Sequence, residues 1–379
     1  MPDTVAGTPA THTEPRTEPR AETVGSLLRD PEIVAAAHRG SSSDAHLLDE
    51  AARDAIRLQE EIGLDVITDG EVRRESWAQT PRFLDCFERM EGRAALNWRG
   101  GTGANGTTGA VRGYPAVVRR VAAATRTGDM ADDYEFLARH AQARTKFTMA
   151  APSYHRRYWS PEYSRAVYGS SEEYLTEVRD YLREVVDRLV TLGCDYIQLD
   201  APNYGSLCDP GTRAAMTAVG RDIDAEIAFD AELDNSLLSE LPGVTTALHI
   251  CRGNGPGGAW HSAGGYSVIS GALFPRLTFS RLLLEYDSDR AGGFEPLNDV
   301  RPGTTVVLGL LTTKSEDLDD ESDVAARIAE AGKLKPLSEL ALSTQCGFAS
   351  VPSKNPVTPA GQRSKLEMVA RLAHRTWAA

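Results

Sequence analysis

Long apolar runs are missing from this 379-residue sequence: the longest, Ile33 to Ala37, falls far short of the roughly 20 residues that a membrane helix needs. A basic surplus is missing too. With 41 Lys and Arg against 54 Asp and Glu, the formal charge is −13, and no local basic patch offsets it. Phosphate backbones and anionic lipid are repelled, which excludes nucleic acid and membrane surfaces as partners. The N-terminus has no apolar core segment. It repeats Thr13-Glu14-Pro15-Arg16 as Thr17-Glu18-Pro19-Arg20, so it reads as a disordered tail over residues 1–20 ahead of a cytoplasmic domain, not as a signal peptide. Cysteine is scarce, odd in number and widely spaced (Cys86, Cys194, Cys208, Cys251, Cys346), which argues against a disulfide framework and for reduced thiols. No internal repeat of about 20 to 50 residues is visible, so a solenoid is excluded.

What is present is an ordinary globular composition, 41% hydrophobic and 25% charged, at a length that suits one large α/β barrel or two domains. Short β-rich runs alternate with longer helical patterns. The runs are Thr23–Ser26, Asp65–Glu71, Phe147–Ala151, Tyr196–Asp200, Ala247–Cys251, Leu282–Glu285, Val306–Leu311 and Leu340–Cys346. Between them, Leu175, Val178, Leu182, Val185, Val186 and Leu189 recur at helical spacing behind a Ser170…Glu173 capping box, with Gly193 as the stop. Asp44 to Ile62 behaves likewise, with Gly63 after it. Eight strand-helix pairs predict a single (β/α)₈ TIM barrel over residues 21–379. A Gly/Thr-rich stretch, Gly100 to Gly109, followed by Tyr114-Pro115-Ala116-Val117-Val118, predicts an insertion after strand 2, at about residues 97–144, over the barrel mouth.

A barrel carries its chemistry at the C-terminal ends of its strands, and polar residues close the apolar runs there: Ser26, Glu71, Asp200, His249, Cys251, Glu285 and Cys346. In His249-Ile250-Cys251 the strand period of two puts both side chains on one face. Imidazole and thiolate are zinc ligands, and Glu285 and Cys346 at neighbouring strand ends fit the remaining positions. The plainer reading makes His249 a hydrogen-bonded core histidine and the cysteines small apolar filler. Glu285 resists that reading, because burying a carboxylate after three leucines is costly unless it is paired or metal-bound. Glu71 and Asp200 are two carboxylates in one pocket, suited to an ammonium group, or else ion-paired with arginines such as Arg73 or Arg74. Gly101-x-Gly103-x-x-Gly106 has no strand before it, and Gly253-x-Gly255-x-x-Gly258 contains Pro256 beside the His/Cys pair. Neither is a nucleotide loop; the second set lets the chain pass close to the metal pocket. Tyr154, Trp159 and the Gly100 to Gly109 stretch are candidates to shape a donor pocket, with no spacing that singles out any of them.

Taken together, Val24-Gly25-Ser26-Leu27-Leu28-Arg29, Thr68-Asp69-Gly70-Glu71, Tyr196-Ile197-Gln198-Leu199-Asp200, Leu248-His249-Ile250-Cys251-Arg252-Gly253-Asn254, Leu284-Glu285-Tyr286-Asp287 and Gln345-Cys346-Gly347-Phe348 resemble the catalytic barrel of the cobalamin-independent methionine synthase family, a group that also contains the epoxyalkane:coenzyme M transferases. The resemblance runs from about Ala21 to the C-terminus. It implies Zn2+ on His249, Cys251, Glu285 and Cys346, and homocysteine held by Ser26, Glu71 and Asp200. It also implies that Lys314, in Leu311-Thr312-Thr313-Lys314-Ser315, stands near the family's catalytic histidine, as a proton donor or electrostatic stabiliser. Ala201 replaces the acidic residue that usually follows the strand-four aspartate, and the length leaves no room for the second barrel of the full-length synthases.

The expectation is therefore a zinc-dependent transferase that moves a methyl or alkyl group from a donor to a small thiol, most simply homocysteine in methionine biosynthesis, with Asp200 and Lys314 catalytic. Two other readings stay open: an epoxide or other electrophile as the alkyl donor, and a metal-free barrel acting as a lyase or binding protein.

Overall fold

The computed structural model describes residues 18–94, 98–100, 112–123, 129–350 and 355–378. Most of the expected tail and the Gly101–Gly109 part of the expected insertion lie outside them. Among the described residues eleven strands occur in chain order: β1 (Ala21–Glu22), β2 (Val66–Ile67), β3 (Phe87–Ala94), β4 (Arg112–Val117), β5 (Arg144–Thr145), β6 (Phe147–Ala150), β7 (Tyr196–Asp200), β8 (Thr245–Ile250), β9 (Arg281–Glu285), β10 (Thr305–Leu311) and β11 (Leu340–Thr344). Nine of them form one sheet in the order β5-β2-β1-β11-β10-β9-β8-β7-β6, and its neighbouring strands pair in parallel. β5 and β6 are two pieces of one run interrupted only at Lys146, so the sheet returns to its start. The fold is a TIM barrel with eight strand positions. β3 and β4 stand apart as an antiparallel hairpin after β2.

The period of two sorts the strand residues into two cores. Ile197 and Leu199 of β7, Leu248 and Ile250 of β8, and Leu282 and Leu284 of β9 join the large core between sheet and helices. Val24, Val66, Tyr196, Ala247, Leu283, Val307 and Ala341 form a separate cluster inside the barrel. Above and below that cluster the inward positions are polar.

The helices follow the sequence signals closely. One spans Ser171–Thr191, and its N-cap Ser170 Oγ accepts from the Glu173 N–H at 3.2 Å. The Glu173 carboxylate reaches back to Gly169 N–H at 2.8 Å, one residue beyond the reciprocal bond of an ideal capping box. Another spans Ala45–Ile62 and ends at Gly63 in the left-handed conformation. Among the described residues no helix is long and apolar enough to cross a membrane.

β1 and β2 are shorter than their apolar runs suggest. β1 pairs through Ala21 and Glu22 alone, so Val24 to Ser26 continue past it toward the barrel mouth. Glu71 stands beyond β2 in a turn rather than at its end, with φ 55°. At the opposite end of the barrel Arg20 is tied down, its Nη1 donating to Leu340 O at 2.7 Å and to Ser338 O at 3.0 Å.

Candidate active site

The C-terminal ends of the strands open into a cavity of about 720 Å³. Ser26, Glu71, Asp200, His249, Cys251 and Cys346 all line it. Six of the eight residues singled out in the sequence therefore meet in one space. Glu285 and Lys314 are not among its lining residues.

His249, Cys251 and Cys346 form the chemically distinctive part. All three are buried, and one ligand atom from each can be chosen so that all lie within 4.8 Å of one another. His249 Nδ1 faces Leu283 O at 3.1 Å, which sets that nitrogen as the donor and leaves Nε2 as an acceptor. Nε2 is buried without a hydrogen-bond partner. An orphaned imidazole lone pair beside two thiols is costly in a plain core and fits a soft divalent cation. Contact with the Cys251 thiol, together with the facing imidazole, drives Cys346 toward thiolate, and the same contact pushes Cys251 up. The donor set thus fits zinc, with His249, Cys251 and Cys346 as the residues that would hold it.

Glu285, the fourth ligand expected from the sequence, is not part of that group. Its Oε2 accepts from the Arg252 backbone N–H at 2.7 Å; its Oε1 accepts from Arg290 at 2.8 Å and lies 3.4 Å from Lys314 Nζ. Burial alone pushes a carboxyl up, but Lys314, Arg252 and Arg290 together hold Glu285 down at about 2. Lys314 is bound in the same cage, 3.7 Å from Asp287 as well. Its ammonium faces carboxylates of its own chain.

Glu71 and Asp200 have different partners. Glu71 accepts from Thr148 Oγ1 at 2.6 Å and lies 3.5 Å from Arg74 Nη1, whereas Arg73 pairs with Asp49. A Cβ at Gly25 would come within 2.4 Å of Glu71 Oε1, so glycine is what admits this carboxylate. Glu71 also holds a left-handed backbone that costs a non-glycine residue about 1–3 kcal/mol, a strain typical of functional turns. Asp200 accepts from Gln198 Nε2 at 2.7 Å, and burial pushes it up to about 7, with Glu71 and Cys346 adding and His249 opposing. Ser26 Oγ accepts from Ala349 N–H at 3.2 Å, and Ser26 O accepts from Phe348 N–H at 2.7 Å, joining the segment after β1 to the Cys346 loop.

His261 and Arg157 also line the cavity without a strand-end signal. His261 follows the glycine-rich stretch after β8, and Gly253, at φ +92°, lies so close that a Cβ there would come within 2.3 Å of the imidazole Cδ2. Burial first, and then the Arg157 charge, press His261 down to about 4. Arg157 lies on the turn Pro152–Tyr158 after β6, within a wall that includes Trp77, Trp98, Tyr114, Tyr154 and Tyr158. Trp159 is not in that wall. The hairpin supplies Tyr114, whose ring stacks on Tyr158 at 5.4 Å.

Fold and site together define a parallel α/β barrel with a buried His-Cys-Cys cluster at its C-terminal mouth. No protein-family model matches the chain. It is 32% identical over 368 residues to the uncharacterized protein YxjH of Bacillus subtilis (strain 168), and 31% identical over 374 residues to YxjG of the same organism. Each alignment covers 94% of this chain and 94% of the relative. The chain belongs to the family of YxjH and YxjG. In three dimensions it is similar to a candidate vitamin-B12 independent methionine synthase from Listeria monocytogenes, with TM-score 0.69, 25% identity, and 96% of this chain and 99% of that one covered. It also shares its fold with a B12-independent methionine synthase from Shewanella sp. W3-18-1 solved with selenomethionine (TM-score 0.64, 19% identity, 94% and 97% covered). A methyltransferase from Methanosarcina mazei has TM-score 0.51 at 13% identity, with 96% of each chain covered.

Proposed function

We propose that the protein is a zinc-dependent transferase that moves a methyl or other alkyl group onto a small thiol, most simply homocysteine. The observation that carries this reading is the buried His249–Cys251–Cys346 group, with its orphaned Nε2, in a cavity that also holds the Glu71 and Asp200 carboxylates. The likeness to a candidate methionine synthase at 25% identity supports it.

His249, Cys251 and Cys346 would hold the metal. Three protein donors, rather than four, is the pattern of zinc sites that keep a position for substrate. Bound zinc supplies the Lewis acidity that keeps a thiol's sulfur as thiolate at neutral pH. The chain's own residues bind and orient. Glu71, which accepts from Thr148 and lies beside Arg74, and Asp200, which accepts from Gln198, face the cavity, where an ammonium group would bridge both. Ser26 adds a hydroxyl beside the Cys346 loop. In the transfer, sulfur forms a bond to the alkyl carbon as the donor's bond to that carbon breaks, and the thiol proton ends on the leaving group. Asp200, with its carboxyl near 7, can hold that proton in passing.

The decisive experiment measures metal and transfer together. The purified protein should contain about one zinc per chain, should alkylate homocysteine from a methyl donor, and should lose both properties in Cys346→Ser. Transfer from an epoxide but not from a methyl donor would shift the reaction to the epoxide reading. Well under one zinc per chain with full transfer activity would end the zinc reading.

A further inference from the structure

Arg156 and Arg157 are chain neighbours with opposite surroundings. Arg156 lies 2.7 Å from Glu172, 3.9 Å from Glu226 and 2.5 Å from Asp230. Arg157 lines the cavity, and among the described residues no carboxylate pairs with it. Its guanidinium carbon lies 4.7 Å from the ring centres of both Tyr114 and Tyr154, and its Nη1 donates to the Tyr154 hydroxyl. Its Nε is buried with no hydrogen-bond partner. The backbone beneath it is fixed as well, since Arg93 donates to Arg157 O at 2.6 Å, to Tyr158 O at 3.3 Å and to Trp159 O at 3.1 Å.

A guanidinium that is clamped between rings, short of donors' partners and without a counter-charge in a largely apolar cavity has one natural complement, an oxyanion. None of the acids that line the cavity pairs with Arg157: Glu71 lies beside Arg74, Asp200 accepts from Gln198, and Glu75 lies 2.8 Å from His38. We propose that Arg157 receives an anionic oxygen group, a carboxylate, sulfonate or phosphate, on the small molecule bound in this cavity. The assignment rests on the cavity being the substrate site, but not on zinc or on the transfer. It divides the cavity by charge: carboxylates at the strand ends recognise a cation, and the aromatic wall recognises an anion. The oxyanion can belong to the thiol substrate or to the alkyl donor.

Trp77 and Trp98 line the same cavity, so binding can be followed by tryptophan fluorescence in the purified full-length protein. Two probe pairs serve, each an acid and its uncharged amide: 3-phenylpropionate with 3-phenylpropanamide, and homocysteine with homocysteine amide. In at least one pair the acid should bind about tenfold tighter or more, as charge-assisted bonds do, and Arg157→Gln should bring that pair to within about twofold. Arg157→Lys should keep part of the preference. Preference in the aromatic pair places the oxyanion on the donor, and preference in the thiol pair places it on the thiol. Equal binding within both pairs in the unmodified protein would overturn the proposal without any variant, as would a preference that survives Arg157→Gln. Zinc-free protein should keep the preference for the acids, so this proposal stands or falls apart from the zinc reading, which full transfer activity without zinc would end.

Discussion

Two polar groups of side chains occupy the barrel interior on either side of the apolar layer, and they are built on opposite plans. At the N-terminal end, Lys146 Nζ donates to Glu22 at 2.6 Å and to Gln198 Oε1 at 2.7 Å. Arg281 Nη2 donates to Glu22 at 2.9 Å, and so does the Tyr196 hydroxyl. Of these side chains only Arg281 has an atom, Nε, without a partner. At the C-terminal end, His249 Nε2 is unpartnered, Cys251 and Cys346 contend over a proton, and Asp200 is pushed up toward neutrality. Gln198 joins the two regions, because its Nε2 donates both to Val24 O at 3.0 Å and to Asp200. The first group is closed and the second has valences to offer. Buried polar groups normally find partners within the chain, so the end where they do not is where an outside partner belongs.

The comparison can be broken most directly at the open end. Cys251→Ser and Cys346→Ser should each bring bound zinc, measured by elemental analysis, and thiol alkylation to background. The urea-unfolding midpoint of the metal-free protein should barely move. If the metal-free chain instead unfolds, these cysteines are core filler.

At the closed end the expectation reverses. Lys146→Met leaves Glu22 buried beside one fewer cation and should cost about 3–5 kcal/mol in urea unfolding, while zinc per folded chain stays unchanged. Adding Glu22→Gln to that variant should recover part of the loss.

The two ends should also respond oppositely to pH. Burial pushes Glu22 up, but Lys146 and Arg281 outweigh it and hold its carboxyl low, so its stabilisation is present above about 4.5 and is lost as pH falls below that. Asp200 rises from 3.8 to about 7, so the folded chain binds more protons than the unfolded chain between those values. Stability therefore falls as pH rises through that window. In metal-free protein, Asp200→Asn should flatten this decline, read from unfolding midpoints at pH 5 and pH 7.5. An unchanged slope would mean that Asp200 is not perturbed.

The smallest effect is expected from Lys314. Its ammonium is held by Glu285 and Asp287 rather than facing the cavity, so Lys314→Ala should lower the turnover number by less than about tenfold, below the range of a general acid. A loss of several hundredfold would restore the proton-donor role that the resemblance implies.

Much of the architecture is legible along the chain because a buried parallel strand is an apolar run with a polar stop. Tyr196–Asp200 matches its strand residue for residue, and Ala247–Cys251 and Leu282–Glu285 match within two residues. The same stops marked Asp200, His249, Cys251 and Cys346, all of which line the cavity. Ser26 and Glu71 also reach it, but from segments beyond strands of two residues. Their neighbours in sequence could not reveal that. Glu285 shows the limit of the method. A polar strand end says that a carboxylate is buried, but its partners Arg252, Arg290 and Lys314 come from loops after three different strands, β8, β9 and β10. Arg157 and His261 were missed because loop residues carry no periodicity.

By itself, then, the sequence determined the strand count, the barrel and the residue types at the strand ends, since these depend on local alternation and on the chemistry of single side chains. Only the tertiary structure decided which ends converge. It drew Glu285 and Lys314 into a cage of opposite charges while leaving the His249–Cys251–Cys346 group open to the cavity. The reason is electrostatic and geometric: whether a buried charge is satisfied depends on groups brought within a few ångströms by elements far apart in the chain.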